Sequence, residues 1–401
     1  MSQLAYLLAS IAIMVVLSAL GLHVAFCILA GLLVLGLLAL GPRGLWAALS
    51  AGLTDLSIWD ITASVALIAV LGSVMRELGQ LDEMMDGLRS LGIRGRSLMA
   101  VSSALLGLLP VPGGAILSAS VVDEERRNLK LGEKGPATAN LLFRHLNFFI
   151  YPLSPALIFL ASPDVLNVSI PVLILALLPA SLAHLASSTV SSFYGLRPSG
   201  TSPRRPFNTK DLAGLLKGLI PILAAPVLGS LGFWLSPSLC ISILLSLLLA
   251  KPSKEVLKKV LQGLRKSKAH SFAVPVLLAL LFRTVFKASG ASGVLRTLLG
   301  KMPVPEWLSL CIFAFFLGLA TGAVMLPLTA ILPADVSMIE GVIAYAGAVA
   351  GYVISPLHLC FIVTAEYFGL KQAEMYPRLA VYAVLMVGMS LALVLSLSPL
   401  Y

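Results

Sequence analysis

The chain has 401 residues, of which 58% are hydrophobic and only 11% are charged. Soluble domains carry about 25% charged residues, so this composition excludes an ordinary soluble enzyme or DNA-binding protein. The formal net charge is +10, but the Lys and Arg residues fall in short loops between apolar segments. Orientation in a bilayer explains such a pattern, and no nucleic-acid partner is expected. We therefore predict an all-α polytopic membrane protein.

Twelve membrane segments are predicted along the chain. In the first half they lie at 4–20, 22–41, 58–76, 97–120, 139–161 and 168–190. In the second half they lie at 211–229, 231–250, 271–288, 305–333, 342–364 and 378–398. Between the halves, residues 196–210 are rich in Pro, Gly, Ser and Arg, which predicts an exposed cytoplasmic linker between a first repeat, 1–195, and a second repeat, 211–401.

The segments at 97–120 and 305–333 differ from the others, because each has Pro or Gly near its middle and a polar or acidic end. They are predicted to be re-entrant helical hairpins, since non-helical backbone at membrane depth is tolerated only inside protein or beside a wet cavity. Each half then has five full crossings, one of them broken. An odd number of crossings inverts the second half relative to the first.

The basic residues agree with this topology. Twenty Lys and Arg residues then fall in loops on one side, and only Arg43, Arg296 and Lys301 fall on the other. The positive-inside rule assigns the first side to the cytoplasm. We expect a cell-membrane protein with both termini outside.

Two sequence blocks recur in the same order in both halves. Residues 105–117 resemble residues 312–325, and residues 151–155 (YPLSP) resemble residues 352–356 (YVISP). Paired interrupted helices in pseudo-symmetric halves are the best sequence indication of a transporter's binding site. The alternative is that these Gly and Pro residues are ordinary kinks of membrane helices.

A helix broken at mid-bilayer frees carbonyl groups and exposes N–H groups that carry partial positive charge. The hairpin tips and the helix breaks are therefore predicted to face one another around a site for an anion and a small cation. The predicted substrate-binding residues are Pro112, Gly113, Gly114, Asn147, Thr321, Gly322, Arg144 and His358. The predicted ion-coupling residues are Tyr151, Ser154, Pro155, Ser355, Pro356 and His145.

Each polar residue has a simpler alternative. Arg144 either pairs with a substrate carboxylate or extends its side chain to the cytoplasm. His145 either relays a proton, because histidine titrates near neutral pH, or is a hydrogen-bonded core residue. The amide of Asn147 either lines the site or joins two helices. Hydroxyl groups such as that of Thr321 commonly bond to their own helix.

Acidic and cysteine residues receive structural interpretations. Asp60, Asp335, Glu366 and the cluster 123–125 fall near segment ends, where solvated faces or ion pairs with Arg126 and Arg127 are expected. The four cysteines lie inside apolar runs without ligand spacing and are predicted to be small core residues. No cofactor is expected, and no metal beyond a possible Na⁺.

Four motifs make the sequence similar to a known family, the integral-membrane domain of unknown function 401, which is related to gluconate permeases in the ion transporter superfamily. The motifs are Pro110-Val111-Pro112-Gly113-Gly114-Ala115, Arg144-His145 with Tyr151-Pro152, Ser355-Pro356-Leu357-His358-Leu359-Cys360, and Thr364-Ala365-Glu366-Tyr367-Phe368. The resemblance covers essentially the whole chain. It implies an elevator-type transporter, usually a homodimer, in which a domain with two hairpins and two broken helices moves against a scaffold.

The leading functional hypothesis is a secondary active transporter that moves a small organic anion, coupled to H⁺ or Na⁺. The alternative is a membrane channel or permease for a non-anionic solute or ion. An enzyme is not expected, because His-Glu-x-x-His and Gly-x-Ser-x-Gly motifs are absent from the sequence, and the chain has no P-loop for ATP hydrolysis. Substrate, stoichiometry and direction of transport are left open.

Overall fold

The computed structural model describes residues 2–20, 22–108, 114–204, 206–333 and 335–396. These residues form α-helices and short connections, with no β-strand among them. The helices of the first half are α1 (Ser2–Ala19), α2 (Val24–Leu53), α3 (Leu56–Glu77), α4 (Gln80–Ser90), α5 (Gly95–Gly107), α6 (Gly114–Asn128), α7 (Lys134–Arg144), α8 (Asn147–Ile150), α9 (Pro155–Ala161), α10 (Ile170–Ala176) and α11 (Leu178–Phe193). The helices of the second half are α12 (Thr209–Ser230), α13 (Leu235–Leu249), α14 (Lys254–Lys266), α15 (Ala269–Ala288), α16 (Ala291–Leu299), α17 (Glu306–Thr321), α18 (Met325–Ile331), α19 (Met338–Ile354), α20 (Leu359–Tyr367) and α21 (Gln372–Ser396).

Several of these helices are long and apolar enough to cross a membrane. Among the described residues there are seven such stretches, or eight if α10 and α11, which meet at a bend of 54°, form one span. The seven are Val24–Leu53, Leu56–Glu77, Lys134–Ala161, Thr209–Gly229, Ala269–Ala288, Met338–Tyr367 and Gln372–Ser396. The architecture is that of a multi-pass helical membrane protein.

These stretches coincide with most of the predicted full crossings. The predicted segments at 4–20 and 231–250 correspond to shorter apolar stretches, Gln3–Leu17 and Leu235–Leu249. Helix α2 extends well beyond the predicted end at residue 41. It bends there because Gly41 has a φ of 69° and Pro42 follows it. Between α11 and α12, the described residues contain no helix.

The outer surface of the helix bundle carries large apolar side chains. Leu8 is 55% exposed, Leu175 is 70% exposed and Val384 is 73% exposed. A water-soluble protein rarely exposes apolar side chains so extensively. These side chains are suited to contact with lipid.

The tightest helix pair joins α17 to α19. Gly347 and Gly351 on α19 are four residues apart, so they share one face of the helix. A Cβ atom built at Gly347 would lie 2.5 Å from the Cys311 carbonyl oxygen, and one built at Gly318 would lie 2.6 Å from that of Ala348. Small residues at this spacing allow two membrane helices to bring their backbones into contact.

Both predicted hairpins consist of two helices that pack against each other, α5 with α6 and α17 with α18. The predicted tip residues Pro112 and Gly113 lie outside the described residues, and Gly114 is the first residue of α6. In the second of these helix pairs, α17 ends at Thr321. The next residue, Gly322, adopts the left-handed conformation with a φ of 61°.

Both predicted helix interruptions are present. The second lies between Ile354 and Leu359, where α19 ends and α20 begins. The first is longer than residues 151–155, because α7 already ends at Arg144 and only the single turn of α8 precedes α9. The early end of α7 lies beside Gly107 of α5, where an added Cβ would overlap the Arg144 carbonyl oxygen.

Two residues of the acidic cluster 123–125 form ion pairs at the end of α6. The prediction is wrong for Glu125, which is buried and accepts hydrogen bonds from the Gly95 N–H at 2.6 Å and from the Ser202 hydroxyl group. Asp123 pairs with Arg126 at 2.6 Å and with Arg127 at 3.3 Å, while Glu124 pairs with Arg89 at 2.6 Å. Asp60 accepts hydrogen bonds from the backbone N–H and hydroxyl group of Ser236. Glu366 and Asp335 are exposed. These residues stabilise helix ends and loops and do not meet between the two interruptions.

Candidate site between two helix breaks

The two helix interruptions meet inside the protein. The ring of His145, at the end of α7, lies 4.7 Å from the ring of His358, at the start of α20, measured between centroids. Tyr352 stacks obliquely on His358 at 4.0 Å, and Phe148 lies 5.5 Å from Tyr352. Residues more than 200 positions apart in the sequence therefore form one aromatic and imidazole cluster, which we call the break junction.

Both histidines are held in place through the same ring nitrogen. Nδ1 of His145 lies 2.6 Å from the Leu141 carbonyl oxygen, and Nδ1 of His358 lies 3.2 Å from that of Val353. Because a carbonyl oxygen only accepts, Nδ1 is the N–H donor in both rings, to α7 for His145 and to α19 for His358. Nε2 of each ring therefore carries a lone pair. Both side chains are buried, and Nε2 of His358 has no hydrogen-bond partner in the described part of the chain.

Cys360 completes the break junction. Its sulfur atom and one nitrogen atom of each histidine all lie within 4.8 Å of one another. The prediction that all four cysteines are small core residues is confirmed for Cys27 and Cys311, which are buried. It is wrong for Cys240, which is exposed, and for Cys360, which is half-buried beside two imidazoles.

Arg144 brings a positive charge to the same region. It is the last residue of α7, its side chain is buried, and Nη1 donates a hydrogen bond of 3.3 Å to the hydroxyl oxygen of Ser118 on α6. It lies within electrostatic range of Tyr352 and Cys360. The alternative that Arg144 extends its guanidinium group to the cytoplasmic water is therefore wrong.

Asn147 joins the first hairpin to the first break. Its Nδ2 donates a hydrogen bond of 2.7 Å to the Gly107 carbonyl oxygen at the end of α5. Its Oδ1 is buried and has no hydrogen-bond partner among the residues that the structure describes. A buried amide oxygen without a partner is unfavourable unless a ligand, an ion or a water molecule binds it. Asn147 thus joins two helices, as the alternative interpretation predicts, and its Oδ1 is still available to a ligand.

The second hairpin is joined to the second break in a different way. The Ser355 hydroxyl group donates to the Leu319 carbonyl oxygen at 2.7 Å, and the Thr321 hydroxyl group donates to that of Leu317 at 2.7 Å. A Cβ atom at Gly322 would lie 3.0 Å from Leu357. The Thr321 hydroxyl group bonds to its own helix, which is the simpler alternative for such a residue. The Ser355 hydroxyl group instead joins the end of α19 to α17.

The remaining predicted ion-coupling residues do not join the break junction. Tyr151 is buried and its hydroxyl group donates to the Ile222 carbonyl oxygen of α12 at 3.5 Å. Ser154 and Pro155 cap and begin α9, and the carbonyl oxygen of Pro356 accepts a hydrogen bond from Gln372. The later part of the first break therefore faces α12.

A cavity of about 530 Å³ lies on this side of the first break. Pro152 and Leu153 line it from the break, Pro226 and Gly229 line it from α12, and Asp60 adds a carboxylate from α3. The segment containing the first break therefore borders a space large enough for a small metabolite.

Sequence analysis missed two buried polar residues close to the site. Asn140 donates to the Thr364 hydroxyl oxygen at 3.0 Å and to the Ala115 carbonyl oxygen at 3.3 Å, which links α7 to α20 and α6. His184 contacts the Tyr382 hydroxyl group at 2.9 Å and the Leu142 carbonyl oxygen at 3.0 Å. A polar side chain within an apolar segment is the signal that marks both of them.

One family resembles this chain over nearly its full length. The sequence profile of the family described as "Protein of unknown function (DUF401)" matches residues 1–397. The chain belongs to this family. Both helix breaks and every residue of the break junction lie within the matched region of the DUF401 family. No curated protein matches the sequence.

Proposed function

We propose that this chain is a secondary active transporter that binds a small organic anion at the break junction. The observation that carries the proposal is the contact between His145 and His358, which brings two interrupted helices together at one point. Interrupted helices provide unpaired N–H and carbonyl groups where continuous helices provide none. This is the arrangement that secondary transporters use for polar solutes inside a membrane.

The charge of the junction favours an anion. Arg144 is buried, and the hydroxyl group of Ser118 to which it donates carries no compensating charge. A buried cation is costly unless an opposite charge approaches it. A substrate carboxylate would supply that charge, and the N–H donors at the start of α20 would add to it.

The larger architecture extends the proposal. We take residues 1–195 and 211–401 as inverted repeats, each with a hairpin next to a broken helix. On this basis the chain is a relative of the gluconate permeases and works as a homodimer. Its hairpins and broken helices slide together as one body against a scaffold domain. The cavity lined by Pro152 and Leu153 borders the first break and is large enough for a small anion. A gradient of H⁺ or Na⁺ would drive uptake.

A ligand screen tests the proposal while the substrate is still unidentified. Thermal stability of the purified protein in detergent is measured in sodium, in potassium and at two pH values. The compounds tested are gluconate, dicarboxylates, citrate, lactate and amino-acid-like acids. A ligand that binds the native state raises its stability by mass action, by about 2.7 kcal/mol at one hundred times its Kd. Stabilisation by one carboxylate supports the proposal, and stabilisation by none contradicts it.

Arg144→Gln is expected to remove most of this stabilisation. A hydrogen bond to a charged partner contributes about 1.5–3 kcal/mol, so the affinity for the anion should fall at least about tenfold. The measurement is the concentration of anion that gives half of the maximal thermal shift. Arg127→Gln is the matched control, because the Arg127 side chain is 65% exposed. Equal affinities in the wild type and Arg144→Gln would exclude Arg144 from the site.

A further inference from the structure

The break junction has the composition of a transition-metal site. We propose that His145, His358 and Cys360 together bind one borderline-soft metal ion, with Zn²⁺ as the best match. One donor atom from each residue lies within 4.8 Å of the other two. Zinc binds both imidazole and thiolate ligands, and catalytic zinc sites combine three protein ligands with an open fourth position.

The orientation of the two imidazoles supports this assignment. A metal-binding histidine usually donates its other ring N–H to a carbonyl or carboxylate, which fixes the ring and directs the lone pair at the metal. His145 and His358 each place Nδ1 against a backbone carbonyl, of Leu141 and Val353 respectively. Nε2 of His358 is buried, and no described residue forms a hydrogen bond with it. A metal ion would satisfy this nitrogen.

The distances require only a small adjustment. Zinc bonds of about 2.0–2.3 Å place tetrahedral donor atoms roughly 3.3–3.8 Å apart. The donor atoms of the three side chains lie within 4.8 Å of one another, so the distances between them would shorten by about 1 Å. Cys360 lies one residue beyond the second break, at the start of α20. A change in its side-chain rotamer moves the sulfur without moving the helix.

The chemistry of the ligands selects the ion. Thiolate and imidazole favour Zn²⁺ or Cu⁺ over Mg²⁺ or Ca²⁺, which prefer oxygen ligands. On binding, the Cys360 thiol gives its proton to solvent and the thiolate bonds to the metal. Among the described residues no fourth His, Cys, Asp or Glu joins the cluster, so water or an anionic oxygen would complete the coordination.

The metal site shares its position with the proposed transport site, but it does not rest on transport. Cys360 is half-buried, and both histidines are buried. The test therefore measures metal binding alone. Its result stands whether or not an organic anion binds.

Cobalt is the probe for the test, because Co²⁺ replaces Zn²⁺ and a thiolate ligand gives it a sulfur-to-metal charge-transfer band. The full chain, freed of any affinity tag and of metal, is titrated with Co²⁺ and then with Zn²⁺ in competition. We expect one equivalent of Co²⁺ to produce the band and Zn²⁺ to remove it. Cys360→Ser should abolish the band, whereas the exposed Cys240→Ser should keep it.

The histidines are tested by affinity. His358→Ala and His145→Ala should each weaken Zn²⁺ binding by more than about tenfold, since even loss of an outer-shell partner costs that much. His184→Ala is the control, because His184 is buried but bonded to Tyr382 and the Leu142 carbonyl oxygen. Absence of the charge-transfer band in the wild type, or its persistence in Cys360→Ser, would overturn the proposal.

A second measurement uses only the wild type, so it tests the proposal even if the variants fail to fold. In the wild type, bound Zn²⁺ should slow the reaction of Cys360 with a maleimide at least about tenfold, and leave the reaction of Cys240 unchanged. Mass spectrometry of peptides distinguishes the two sites. Equal rates for Cys360 with and without Zn²⁺ would contradict the proposed ligand set.

Discussion

Gly351→Ala should destabilise the protein more than its single added methyl group suggests. The new Cβ would overlap the Phe315 carbonyl oxygen and lie 2.8 Å from its carbonyl carbon, so α17 and α19 would have to move apart. Overpacking of this kind typically costs 1–3 kcal/mol, and we expect about 3 kcal/mol because the clash is with backbone. The measurement is thermal unfolding of the purified protein in detergent, followed by tryptophan fluorescence.

The matched control is Gly388→Ala in α21, where an added Cβ meets no atom within 4 Å. Alanine is the better helix former by about 1 kcal/mol, so this control should be neutral or slightly stabilised. Equal melting temperatures for Gly351→Ala and the wild type would show that α17 and α19 do not pack as closely as described.

Arg283→Met should destabilise the protein by about 3–5 kcal/mol. Arg283 is completely buried in α15. Its guanidinium group donates to the Leu332 carbonyl oxygen, to that of Pro333 at 2.7 Å and to that of Asp164 at 3.2 Å. Methionine would fill a similar volume but leave three backbone acceptors without a donor. The lower melting temperature should be accompanied by loss of monodisperse protein in size-exclusion chromatography.

Arg283→Lys should be intermediate, because an ammonium group cannot reproduce the planar fork of the guanidinium group. Arg265→Met is the control, since Arg265 is exposed on α14 and its replacement should change the free energy of unfolding by less than about 0.5 kcal/mol. If Arg283→Met were as stable as this control, the three hydrogen bonds would not hold α15 to the ends of α9 and α18.

The sequence predicts the positions of the breaks because their causes are local. Helix is disfavoured at those points by Pro152, Pro155 and Pro356, and by Gly322 after α17. The early end of α7 at Arg144 has no such local signal. It coincides with the close approach of Gly107 on α5, and a contact between residues about 40 positions apart cannot be read from a helix pattern.

The candidate site is predictable from the sequence only in part. Arg144, His145 and His358 stand out because polar side chains inside apolar segments are costly, and the structure places them in one region. In the sequence, Cys360 looks like one more small residue of an apolar segment, because its partner His145 is more than 200 positions away. The spacing His358-x-Cys360 is the one local signal that indicates a shared site. Arg283 lies within an apolar segment, and its three acceptors come from two distant loops that only the fold brings together.

The most direct test of the central claim is uptake into proteoliposomes. The carboxylate that stabilises the protein in the screen is supplied outside vesicles that contain the wild type, with an inward gradient of Na⁺ or of H⁺. The proposal predicts saturable accumulation of the carboxylate above its outside concentration. This accumulation should collapse when the gradient is dissipated. It should be strongly reduced in Arg144→Gln but not in Arg127→Gln. Equilibration without accumulation, at the same rate in both variants, would contradict it and favour a channel or a passive permease.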